Sequence, residues 1–143
     1  MKDIMLKITG RLVSAIPAPP DASDSVIEFT TPGKFSSRGG ITRITYEETE
    51  LSGFEGCRTY LTITGDKLKM QRKGKTLAED SVMEFEKGRR YEGSYETPYG
   101  SVDMEILTND IDVRNPEKIS IDYSLALKGL MESRNTLDIE VLN

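Results

Sequence analysis

Tyr46, Glu48, Arg72, Tyr95, Thr97 and Tyr99 are the side chains in this sequence best suited by type and spacing to hold a small molecule. A guanidinium offers a rigid fork of donors for an anionic or polar head group, and phenol rings supply apolar walls with a polar tip. Together they form a ligand-binding set, and no catalytic residue is assigned. The same set has a second reading. Arg72 and Glu48 would pair to plug an opening while the tyrosine rings fill volume, because buried charges come in pairs. Both readings stay open from the residues alone.

Acid–base turnover is poorly provided for. The chain has no histidine, and a carboxylate starting near pKa 4 would need a shift of roughly 2 to 3 units, about 3 to 4 kcal/mol of environment, to work near neutrality. Nothing local announces such an environment, and no Walker loop, GxSxG, HExxH or GxGxxG motif occurs. Cys57, the single cysteine, reads as a small buried hydrophobe, since no histidine can activate it. Glu47, Glu48 and Glu50 read as a solvated loop edge, because a hard cation needs more oxygen ligands in a defined loop. No metal or cofactor is expected.

These side chains must be positioned by strands. Period-two alternation recurs along the 143 residues, while a helical stripe of useful length does not. The first strand puts Ile4, Leu6, Ile8 and Leu12 on one face, and the second carries Ile27 and Phe29 inward before an interruption at Pro32-Gly33, a pair expected at an edge or bend. The third points Ile44 and Tyr46 inward. The fourth offers Cys57, Thr59, Leu61 and Ile63, and the fifth Leu68, Met70 and Arg72. Met83 and Phe85 follow, then Tyr91, Gly93, Tyr95 and Thr97, with Tyr91 joining the tyrosines as wall. The final three strands carry Val102, Met104 and Ile106, then Ile119 to Leu127, then Leu137, Ile139 and Val141. Thr97-Pro98-Tyr99-Gly100 has turn chemistry and predicts a three-residue hairpin with a bulge. About ten short strands in one domain predict an all-β sandwich or an antiparallel up-and-down barrel.

Charge and composition narrow the partners. A formal net charge of −5 gives no general attraction to nucleic acid or anionic lipid. The basic stripe of Lys67, Lys69 and Lys73 falls at the opposite end from Lys87, Arg89 and Arg90, so nucleic acid is not an expected partner. No apolar run is long enough for a signal peptide or membrane span, which predicts a cytoplasmic protein. The expected partner is a small-molecule ligand. The alternative is a filled, partner-binding barrel that pairs as a homodimer through an exposed strand or an outer patch such as Tyr60 with Leu107.

The runs MQRKG at 70–74, FEKG at 85–88, YETPYG at 95–100, Thr108 and IDY at 121–123 resemble the YwiB-like family of small uncharacterised bacterial proteins, and VIEF at 26–29 and YEE at 46–48 are similar too. The resemblance spans nearly the whole chain. It implies a calycin-like, lipocalin-like closed barrel of about eight to ten strands, and it carries no established activity. In such a barrel, sequence order gathers the loops at 15–24, 48–56 and 73–75, the TPYG turn and the segment 129–135 at one end. That end is the candidate mouth.

Overall fold

The computed structural model describes residues 1–16, 26–49, 55–74, 81–97 and 100–142. The alternating stretches form ten strands: β1 (Lys2–Ile16), β2 (Val26–Arg38), β3 (Ile41–Glu47), β4 (Cys57–Thr64), β5 (Lys67–Gly74), β6 (Ser81–Glu86), β7 (Arg90–Thr97), β8 (Gly100–Asp112), β9 (Lys118–Leu127) and β10 (Met131–Val141). All neighbours pair antiparallel, in the order β6-β5-β4-β3-β2-β1-β10-β9-β8-β7. The fold is therefore an all-β, up-and-down barrel, nearly closed. Among the described residues there is no helix.

The ring closes at an unexpected place. β1 and β10, the two chain ends, share a long ladder from Leu6↔Val141 to Ile16↔Glu132. The seam lies instead between β6 and β7, which carry ladders only to β5 and β8. Thr108 of β8 spans that seam at one end. The Gly88 N–H donates to its carbonyl at 2.9 Å, its own N–H donates to the Arg89 carbonyl at 3.3 Å, and its hydroxyl oxygen accepts from the Glu86 N–H at 3.2 Å. Gly88 has φ 76°, a conformation glycine takes without steric cost, and this lets the 87–89 turn reach across.

β2 is not interrupted at Pro32-Gly33; it runs straight through them. Met5 pairs with Pro32, and the Met5 carbonyl accepts from Leu142 on the β10 side, so Met5↔Pro32 is a non-hydrogen-bonded pair. The position where proline lacks a donor thus faces β3, whose ladder to β2 begins only at Gly33↔Tyr46. At Gly33 a Cβ would lie 2.5 Å from the Thr45 carbonyl oxygen, which explains why the residue has no side chain. The β7–β8 ladder ends at Thr97↔Gly100, and the turn expected at Thr97-Pro98-Tyr99-Gly100 has its central residues outside the described residues.

The core fills one half of the barrel. Leu6, Ile44, Leu61, Leu68, Ile106 and Ile119 are fully buried there, and each contributes about 1.5 to 3 kcal/mol by leaving water. The turns at this end are short, and Val113, the first residue of the segment joining β8 to β9, is buried. β1, β3, β5, β7 and β9 all run away from this end, so their last residues gather at the other.

Candidate functional site

Toward that other end the described side chains leave part of the interior unfilled. A cavity of about 220 Å³ opens at the mouth, walled by Ile8, Phe29, Met70, Met83, Phe85 and Leu137 and carrying polar groups from Tyr46, Glu48, Arg72, Tyr95 and Tyr123. Gly10 lines it as well. It occupies the inward register after Ile4, Leu6 and Ile8, and a Cβ there would meet nothing within 4 Å. Part of the cavity is the side chain that β1 leaves out. At Gly93, by contrast, the equivalent space is taken by the Tyr91 ring, 2.9 Å from where a Cβ would stand.

One ion pair sits on the wall. Glu48 follows the last residue of β3, anchored by its N–H donating to the Cys57 carbonyl at 2.9 Å. Its side chain is 2% exposed and that of Arg72 is 13% exposed, with Nη2 and Oε1 3.5 Å apart. The buried Thr59 hydroxyl donates to the same Oε1 at 2.5 Å. Alternation turns Glu47 the other way, where it pairs with Arg58 on the outer surface. The acidic cluster expected at the loop edge is therefore divided by the barrel wall, with Glu50 outside the described residues.

The phenols respond to this arrangement. Burial holds the Tyr46 hydroxyl well above its ordinary pKa, with the neighbouring Glu48 charge adding to the effect and Arg72 opposing it. Burial also pushes Tyr123 up to about 12, against the pull of Arg72 and with a contribution from Tyr95. The Arg72 charge is thus felt by phenols on both β3 and β9. The Tyr123 ring meets Phe85 edge-on at 5.1 Å and 66°, which closes the cavity floor from β9 to β6.

The family model of a domain of unknown function, DUF1934, matches residues 17–139. The chain belongs to that family. Among solved structures, this DUF1934 chain is similar to the crystal structure of the ywiB protein from Bacillus subtilis, with a TM-score of 0.66 at 16% identity over 99% of this chain and 94% of that one. At that identity the likeness shows the barrel fold and nothing finer. No curated protein matches the chain.

Within the DUF1934 barrel, four of the six residues expected at the site, Tyr46, Glu48, Arg72 and Tyr95, line one cavity. Tyr99 lies outside the described residues, as does the side chain of Thr97. Tyr91, expected in the wall, lies over Gly93 and does not line the cavity. Tyr123, Gly10 and Phe29 do line it without having been singled out for the site. For Gly10 the signal was present: a glycine in the inward register of a strand, with no turn to require it. Tyr60 and Leu107 sit on β4 and β8, with β5, β6 and β7 between them, so they form no common outer patch. The outer lysines have local partners, Lys67 with Glu84 at 2.6 Å and Lys87 with Asp110 at 3.5 Å, while Lys73 stands 5.6 Å from the centre of the Tyr60 ring.

Proposed function

We propose that this DUF1934 protein is a non-enzymatic binding barrel that takes one small molecule into the cavity through the mouth at the long-loop end. The observation that carries the reading is Gly10: the strand leaves an unfilled position facing the buried Glu48–Arg72 pair and three tyrosines. Up-and-down barrels of this size either fill with side chains or hold one ligand, as lipocalins do. Arg72 points inward, and there is open volume beside it. Among the described residues lining the cavity, Glu48 is the one carboxylate, and these residues do not form the paired-carboxylate layout of many hydrolases. A cytoplasmic setting goes with the reading, since a chain with one buried cysteine relies on no internal disulfide.

Native mass spectrometry of protein isolated from its own host tests the proposal. The expected result is a mass shift in the wild type that is absent in Gly10→Leu. A clean unliganded mass combined with concentration-dependent dimerisation would support the alternative, a partner-binding barrel. That alternative draws on the seam edges of β6 and β7, which carry no further ladder among the described residues.

A further inference from the structure

The charge pair on the cavity wall limits what kind of molecule fits there. Resting on the binding reading above, we propose that the ligand is a small ring compound bearing an uncharged donor–acceptor edge, such as a primary amide or a lactam, and that the Glu48–Arg72 pair selects it against carboxylates and amines.

Size comes from the volume. A cavity of 150 Å³ lined by apolar side chains takes benzene, so about 220 Å³ accommodates a single ring with a short substituent, about nine non-hydrogen atoms. The walls favour a ring. Phe29, Phe85, Tyr46, Tyr95 and Tyr123 bring aromatic faces and edges from five different strands, and such surfaces pack best against a flat apolar partner.

Polarity comes from the pair. Glu48 and Arg72 both line the cavity, and the guanidinium is already engaged by the carboxylate at 3.5 Å. An anionic ligand approaching Arg72 must lie beside Glu48, and a cationic ligand approaching Glu48 must lie beside Arg72. Like-charge juxtaposition of either kind is costly in a site shielded from water. A neutral edge carrying one carbonyl and one N–H meets both members with the right polarity, accepting from the guanidinium and donating to the carboxylate. The high Tyr46 and Tyr123 pKa values keep those phenols neutral, so they add hydrogen bonds without adding charge.

Four probes of matched ring size separate this proposal from the reading beneath it: toluene, benzamide, benzoate and benzylammonium, titrated by calorimetry into the intact protein at pH 7. Saturable toluene binding, lost in Gly10→Leu, reports on the cavity alone; failure of all four probes to bind would overturn the binding reading itself. The proposal expects benzamide to bind at least about tenfold more tightly than benzoate or benzylammonium. If toluene binds but benzoate equals or exceeds benzamide, the cavity stands and the ligand class is overturned. In Glu48→Gln, where the cavity wall loses the Glu48 charge beside Arg72, the order should invert toward benzoate. An unchanged order in a folded Glu48→Gln protein would contradict the role given to the pair. The wild-type ranking decides the matter even where that variant does not fold.

Discussion

The two halves of this barrel are built from the same strands and do different things. In the half bounded by the short turns, isoleucine and leucine dominate the inward positions, with the buried Thr42 and Thr108 among them, and the interior is packed. In the other half the same register brings Gly10, Tyr46, Arg72, Tyr95 and Tyr123 inward, and the interior is a polar-studded cavity. The same ladders run through both halves, with register shifts among the described residues only at Leu12/Ser14 of β1 and Thr108/Asp110 of β8, and the main difference lies in the side chains. One half supplies the stability that allows the other to stay open, as expected where a site departs from close packing.

The comparison breaks most visibly under truncation. Phe85→Ala, at the boundary between the halves, removes the ring that supports Tyr123, and Ile106→Ala opens a void in the solid half. Losses of about 3 to 5 and 2 to 5 kcal/mol are expected, read by denaturant unfolding. Glu48→Ala removes the buried carboxylate beside the Arg72 guanidinium and should cost about 3 kcal/mol, most of it recovered when Arg72 is replaced by methionine in the same chain. A Glu48→Ala protein as stable as wild type would show that the pair is not buried as described.

Alkaline titration sharpens the contrast. Burial makes the folded protein bind the Tyr46 and Tyr123 protons more tightly than the unfolded chain does. That contribution is complete below pH ~10, the ordinary phenol value, and is lost as pH rises from there toward the folded-state values. Absorbance of tyrosinate should therefore show late ionisation of these phenols among the six tyrosines, coincident with unfolding, and Tyr46→Phe should move the unfolding midpoint upward in pH. Smaller effects follow at the seam and the surface. Thr108→Val removes the acceptor for the Glu86 N–H and should cost about 1 to 2 kcal/mol. Arg134→Ala breaks an exposed pair with Asp122, a loss too small to separate from wild type at neutral pH.

Much of this arrangement was legible in residues alone. Alternation placed Tyr46, Arg72 and Tyr95 on the inward face, and strand order put them at one end, because in a meander every second loop shares a rim. Other features had no local mark. The β1–β10 ladder joins the two ends of the chain, and no residue type announces a pairing that distant. Depth along the barrel depends on the stagger between strands, so Tyr123 could be counted as inward while its place at the cavity floor stayed hidden. Tyr91 differs for another reason, its ring being drawn over Gly93 of its own strand. Pro32 reads as an interruption until the ladder on its donor side is known to start one residue later.

The mouth half holds accessible empty volume, unlike the closed half. Titrating toluene while following side-chain methyl resonances by NMR tests this contrast most directly. Saturable shifts should appear at Met70, Met83 and Leu137 and be absent at Ile63 and Ile119, and all should vanish in Gly10→Leu. Shifts spread evenly over both halves, or persisting unchanged in Gly10→Leu, would contradict it.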